Sequence, residues 1–384
     1  MKAEVVLDLQ FGSTGKGLVC GMLAQTGRFD AAVCAWGPNS GHTAYIEGDP
    51  EFQVVHTMVP ISLAVPGGPV RGFIAPGAVL DVEAFRKDIE SVALLRDEPI
   101  HVYVHECAAV VCAEDRAGEE SYAYKIGSTQ KGTGEALIRK LRRSDERGIA
   151  RGRSAELRFV IDNVIVHVLD SMEWEYCLNK CDSVLVEGSQ GFSLGLNSGF
   201  WPYCTSRECS LAQILSDCLI APSRVVRVHG VARTFPIRVA NRHRDGEMVG
   251  FSGPGYDDQE EIDWSDVGVP AEITTVTKLP RRVFTYSPTQ VRAAVERNDV
   301  TDFYLTFCNY LDSDPAWCLA KARYLYSGTL LPGMRGNVSF GFGPRASEFV
   351  DPGLCSDLGS ELEVVARLVE IKERNPQYWP GVSE

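Results

Sequence analysis

The chain has 384 residues, 45% of them apolar and 23% charged, so it can bury a large core and has the composition of a soluble globular protein. Its formal charge of −13 speaks against general affinity for nucleic acid or an anionic membrane, while a local Arg/Lys cluster can still receive an anionic metabolite. No run is long and apolar enough to span a bilayer, and MKAEVVLDL enters a strand pattern directly, so no signal peptide is expected and the protein is placed in the cytoplasm.

The stretch VVLDLQFGSTGKG at 5–17 predicts a buried strand through Val5, Val6, Leu7 and Leu9, then a turn built on Gly12, Gly15 and Gly17. Glycines let backbone N–H groups approach a phosphate, and the helix expected over LVCGMLAQTG adds a partial positive charge at its start. Lys16 adds a full one. The spacing GxxxxGK[ST] is absent, so this is not a complete P-loop. Residues 29–36, FDAAVCAW, predict a second strand, followed by the turn GPNSGHT. Short strands continue through FIAPGAVL, and Asp81 is the N-cap of a helix over VEAFRKDIESVALL. IHVYVHECAAVV is a strand, so His101 and His105 are ordinary strand residues and not a helical metal pair.

Residues 120–143 read as a Gly/Ser/Thr loop and then a basic helix. VIVHVL, SVLVEGSQG, RVVRVHGVARTFPIRV and DFYLTFCNYL are strands, SRECSLAQILSDCLI and SELEVVARLVEIKERN are helices, and 241–271 is a polar surface excursion. The twelve cysteines are scattered, with no zinc-like pairing, and read as small core residues of a reducing compartment. Strands and loops mixed with helices indicate an α/β fold with a large, mostly parallel central sheet and flanking helices. No clean break divides it, so residues 1–384 are taken as one nucleotide-binding catalytic domain with insertions at about 45–80 and 241–271.

Several polar motifs sit just past apolar strands, where ligands gather in α/β sheets. They are FGSTGKG at 11–17, PNSGHT at 38–43, GSTQKGTG at 127–134, EGSQG at 187–191, YCTSR at 203–207, TVTKLPRR at 275–282, FCNYLD at 307–312 and GFGPR at 341–345. In order and over nearly the whole chain they resemble adenylosuccinate synthetase, whose motifs run GDEGKGK, NNAGHT, GTTKRGIGP, EGAQG, YPFVTSS, TTGRPRR, KLDVLD and a late GP loop. Members of that family join aspartate to a 6-oxopurine nucleotide: GTP phosphorylates O6, and the aspartate amine then displaces the phosphate. The chemistry suits the residues, because a 6-oxo group leaves poorly until it is phosphorylated, and the charge formed needs a cation and backbone donors.

The resemblance implies Lys16 on the phosphoryl oxygens and His42 as a hydrogen-bond or proton donor at O6. It implies Mg²⁺ with the Gly41 carbonyl as a ligand, and a nucleoside-triphosphate site that includes Gly12, Gly15, Gly17, Thr43, Gly343 and Pro344. Asn39, Thr129, Gln190 and Thr205 match the acceptor-nucleotide site, and Thr277 and Arg281 match the aspartate site, where an arginine fork suits a carboxylate. Arg143 matches an arginine that crosses a homodimer interface to the acceptor phosphate.

Three departures carry the specificity. Ser13 stands where the family has a catalytic aspartate. A small neutral side chain there leaves room beside C2 for a 2-amino group, which points to GMP or dGMP, and the stretches DLQFGSTGKG, EGSQGFSLGLN, FWPYCTSR and TTVTK resemble a viral branch of the family that makes the precursor of diaminopurine, which implies dGMP. Asn309 stands where a carboxylate reads guanine, and its amide complements adenine N1 and N6, while Phe307 replaces a lysine and can stack. The donor is therefore expected to be ATP or dATP. Leu279 replaces an arginine near the acceptor sugar, which suits a deoxyribose. The alternatives are an IMP-using adenylosuccinate synthetase and, because the carboxylate is missing, a non-catalytic nucleotide-binding protein.

Overall fold

The computed structural model describes residues 1–46, 53–121, 123–245, 247–274, 278–329, 336–351 and 358–381. Lys2–Asp8 runs through the interior of an eleven-stranded sheet. From one edge the order is Phe349–Val350, Val338–Gly341, Asp302–Thr306, Val225–Arg233, Lys2–Asp8, Ser183–Glu187, Ala31–Cys34, Arg71–Ile74, Ile100–His105, Val164–Leu169 and Phe159–Ile161. Neighbours are parallel except at the outermost pair on each side, which is antiparallel.

The near-continuous apolar runs explain this arrangement, since a parallel sheet is covered on both faces. Ala3, Val5 and Leu7 enter one core and Val6 the other, with Val184 and Val186 following the first set and Leu185 the second. Helices Lys16–Gln25, Val82–Leu95, Leu211–Cys218 and Leu358–Arg374 lie where their patterns predict them. Asp81 caps its helix as expected, accepting from the N–H groups of Glu83 and Ala84 at 3.1 and 3.2 Å.

Because the strands are parallel, Asp8, Cys34, Glu187, Arg233, Thr306 and Gly341 all lie at one end of the sheet, where these strands finish. After Ala31–Cys34 the chain builds outward to Val164–Leu169. It then returns to insert Ser183–Glu187 beside Lys2–Asp8 and adds Val225–Arg233 on the other side. That reversal is a topological switch point, the place where open α/β sheets bind ligands.

One boundary is corrected. The expected insertion at about 45–80 is not a single excursion, because Arg71–Ile74 is an internal strand of the main sheet, between Ala31–Cys34 and Ile100–His105. The short strand expected in this stretch begins at Arg71, and its Gly72, Phe73 and Ile74 are buried. The segment ahead of it holds a hairpin, His42–Tyr45 with Gln53–His56. Residues 241–271 supply the hairpin Arg242–Arg244/Glu247–Gly250 and the strand Glu261–Ile262 of a separate three-stranded sheet. The eleven described cysteines are all unpaired. No described helix is long and apolar enough to cross a membrane.

Candidate active site

The glycine-rich turn is organised by a residue the motif reading passed over. Asp8, the last residue of the first strand, is buried, and its carboxylate accepts from the N–H groups of Gln10 at 2.8 Å and Gly12 at 3.2 Å. It also accepts from the Thr14 hydroxyl at 2.5 Å, the Thr14 N–H at 3.4 Å and the Lys16 ammonium at 3.0 Å. This folds the loop back over the strand end and fixes Lys16 at the first position of its helix. Gly12, Ser13 and Gly15 have φ of 89°, 54° and 85°, so the loop is a left-handed concavity of the kind that receives anions. Ser13, at its crest, is exposed.

Gly17 brings the next motif into place. A Cβ there would lie 2.4 Å from the Thr43 carbonyl oxygen and 2.7 Å from its nitrogen, so only glycine lets the hairpin cross the helix start this closely. His42 and Thr43 thereby lie over Lys16, while Gly41 beside them is exposed. His42 is buried and stacks on Trp36, with ring centroids 3.8 Å apart. Burial first, then the nearby Lys16 and His56, push its imidazole well below the ordinary 6.5 and keep it neutral. Ser13, Lys16 and His42 thus share one end of the sheet.

Gly191 packs the EGSQG loop against the same turn: a Cβ there would meet the Gly12 nitrogen at 2.2 Å. Gln190, with φ of 58°, and the Ser193 N–H, which donates to the Gln10 carbonyl at 2.9 Å, follow from that contact. Glu187, the first residue of this motif, is buried and engaged by protein donors. It accepts from the N–H groups of Ile61 and Ser62 and the Ser62 hydroxyl, and burial raises it to about 7. Thr205 is held by its N–H donating to the Leu194 carbonyl at 2.7 Å. The 37–40 turn carrying Asn39 abuts the start of the Thr133–Arg142 helix, where Thr133 Cγ2 lies 3.0 Å from the Cβ position of Gly37. Arg242 braces the loop of Thr129, donating to the Ser128 carbonyl at 2.5 Å and the Gln130 side chain at 3.0 Å. Arg143 ends that helix at φ 55°, exposed, with its Nε donating to the Leu141 carbonyl at 3.2 Å.

On the far side of the turn, the Thr306 hydroxyl donates to the Thr14 carbonyl at 2.7 Å, which joins the strand carrying Phe307 to the loop. Phe307 is half-buried and lies under the Arg233 guanidinium, 4.0 Å from its ring centroid. Asn309 is buried and donates one amide N–H to the Tyr378 carbonyl. Gly343 packs on the buried Glu348, which accepts from the Arg345 N–H at 2.9 Å and from Asn375 at 2.8 Å; Pro344 lies between them. The turn at 375–379 therefore belongs to this region, although no motif marks it. Arg281 sits beside Glu272 and Arg233; burial lowers its pKa and the Glu272 carboxylate opposes that shift. Leu279 is exposed, and Thr277 lies outside the described residues. Among the described residues, no group of three or more His, Cys, Asp and Glu side chains could hold a metal.

The description of the adenylosuccinate synthetase family matches residues 5–165 and 151–329, and the chain belongs to that family of carbon–nitrogen ligases. Within it, the chain is 41% identical over 325 residues to N6-succino-2-amino-2'-deoxyadenylate synthase of Salmonella phage PMBT28, covering 82% of this chain and 87% of that one. The protein of that name from Acinetobacter phage SH-Ab 15497 is 39% identical over 335 residues, covering 82% and 85%. The structure of the cyanophage S-2L succinoaminodeoxyadenylate synthetase (PurZ) bound to dGMP and dATP as an energy donor superposes with a TM-score of 0.81 at 33% identity, covering 96% of this chain and 99% of that one.

Proposed function

We propose that the protein joins L-aspartate to C6 of dGMP, with ATP or dATP as phosphoryl donor, and so makes 2-amino-2'-deoxyadenylosuccinate. The observation that carries this reading is the small, exposed Ser13 on the left-handed turn beside Lys16 and a neutral His42. The relatives of 41% and 39% identity bear the name of that activity.

The purine O6 attacks the γ-phosphorus as the N1 proton passes to water, the bond to the bridging oxygen breaks, and the nucleoside diphosphate leaves. The aspartate amine then attacks C6 and the phosphate departs with the C6–O electrons. Lys16 has three N–H groups; Asp8 holds it at 3.0 Å, and its remaining donors serve phosphoryl oxygens. His42, neutral and rigidly stacked, donates a hydrogen bond to O6 as negative charge gathers there. Asp8 already accepts from five donors, so it organises the loop and does not take the N1 proton. The carbonyl of the exposed Gly41 is the protein oxygen suited to Mg²⁺, which fits an ion drawing most of its ligands from phosphates and water. When bound, that ion offsets charge on the transferring phosphoryl group.

Asn39, Thr129, Gln190 and Thr205 serve the acceptor nucleotide, and Arg281 with Thr277 serves aspartate. Phe307, Asn309, Gly343 and Pro344 serve the donor base, and Gly12, Gly15, Gly17 and Thr43 serve its phosphates. Arg143, exposed at its helix end, reaches the acceptor phosphate of a second copy in a homodimer.

The test is product mass and kcat/KM from dGMP, GMP and IMP against ATP, dATP and GTP, with aspartate and Mg²⁺. The expected outcome is the succinylated 2-amino product, formed best from dGMP. Ser13→Asp is expected to move the preference toward IMP. Higher kcat/KM for IMP in the unaltered protein would identify an ordinary adenylosuccinate synthetase, and no product in any combination would leave only nucleotide binding.

A further inference from the structure

Arg233 is the last residue of the strand Val225–Arg233, and its side chain is fully buried. Its backbone is held on both sides by one glutamine: the Arg233 N–H donates to Gln10 Oε1 at 2.8 Å, and Gln10 Nε2 donates to the Arg233 carbonyl at 3.1 Å. The guanidinium spends itself on three different segments. Its Nη1 donates to the Ser13 carbonyl at 3.1 Å and to Glu272 Oε2 at 3.2 Å, and its Nη2 donates to Glu272 Oε1. Its flat face lies on Phe307 at 4.0 Å. Among the described residues, its Nε has no partner. Glu272 in turn accepts the Arg281 N–H on its backbone carbonyl at 2.8 Å.

Only a planar, delocalised cation can donate sideways to two groups while stacking on a third. The three groups are the turn of Ser13, the half-buried Phe307 and the Glu272 backbone that holds Arg281, which belong in the proposed reaction to the acceptor base, the donor base and aspartate. We propose that Arg233 is a positioning residue that couples these subsites: a donor purine stacked on Phe307 steadies the guanidinium, which steadies Glu272 and the Arg281 loop, so aspartate binds more tightly once the donor is bound. The same contact holds the Ser13 carbonyl back and keeps the Ser13 hydroxyl at the crest of its turn. This inference rests on those assignments.

The experiment measures KM for aspartate at low and saturating dATP, and KM for dATP at low and saturating aspartate, in the unaltered protein, Arg233→Lys, Glu272→Gln and Phe307→Leu. In the unaltered protein each substrate is expected to lower the other's KM by about five-fold or more, the kinetic trace of a coupling between their binding sites. Arg233→Lys keeps the charge but not the fork, and is expected to abolish that dependence while lowering the dGMP-over-IMP preference. Glu272→Gln is expected to weaken the coupling in both directions, and it decides the matter if Arg233→Lys fails to fold. A role confined to stability would lower the unfolding midpoint and leave the ratio of KM values unchanged. That result, or a Glu272→Gln protein whose aspartate KM rises with no change in coupling to dATP, overturns the proposal. Turnover of dGMP by the unaltered protein is read in the same assay and tests the substrate assignment separately.

Discussion

His42 holds a neutral ring because little water reaches it and two basic neighbours oppose a second proton. Its folded value is depressed, so the imidazole stays neutral from high pH down through 6.5 and takes up a proton only well below that. The unfolded chain takes up that proton near 6.5, so the stability His42 contributes is fully present above 6.5 and is lost as pH falls toward the folded value. Any acid limb of kcat that belongs to His42 is therefore expected below 6.5, with a plateau above it. His42→Gln keeps an N–H but cannot titrate. It is expected to lower kcat by about 10²–10⁴-fold and to remove that limb, as a kcat–pH profile of both proteins will show. The nearness of His42 to Lys16 was legible because both fall in motifs that the family resemblance places together. Asp8 and Arg233 were not legible. An aspartate in VLDLQ gives no sign of its task until Thr14 and Lys16 fold back on it. An arginine at 233 gains its meaning from Ser13, Glu272 and Phe307, all distant in the chain.

Elements meet in this molecule where side chains are missing. The start of helix Lys16–Gln25 touches the hairpin only because residue 17 has no Cβ. Gly17→Ala is expected to push the hairpin off the helix, at a cost of about 1–3 kcal/mol in stability. It should also move His42 away from Lys16, and a displacement near 1 Å there corresponds to a loss of about 10²-fold in rate. Thermal unfolding and kcat/KM measured together check this, and an unchanged pair of values would mean that the crossing tolerates a methyl group. The strand–turn–helix unit was readable from its apolar run and glycines. Helices Pro288–Asn298 and Pro315–Thr329 are not legible from apolar periodicity alone, yet each begins with a local signal. Ser287 accepts from the Gln290 N–H at 2.9 Å ahead of Pro288, and Asp314 accepts from the Ala316 N–H at 2.8 Å ahead of Pro315.

Across the whole molecule, the region proposed for the donor base joins the strand end at Thr306, the 341–345 loop and the turn at 375–379. Asn309 ties the first to the last through the Tyr378 carbonyl. Asn309→Asp cannot make that donation and places a carboxylate against a carbonyl oxygen in a buried place. It is expected to cost about 1–3 kcal/mol and to raise kcat/KM for GTP relative to ATP. Unfolding curves and the two donor constants test this, and an unmoved GTP-to-ATP ratio would remove Asn309 from base reading. The α/β class and the loops at the strand ends could be read from the sequence; the joining of the 375–379 turn to Asn309 could not, because it is a backbone carbonyl that a side chain finds only after the helix Leu358–Arg374 has docked.

The position of Lys2–Asp8 inside the sheet also bears on biosynthesis. Both of its hydrogen-bonding neighbours, Ser183–Glu187 and Val225–Arg233, are translated long after it. A nascent chain must therefore carry Lys2–Asp8 without either neighbour until residue 187 has left the ribosome, and with one side still open until residue 233 has followed.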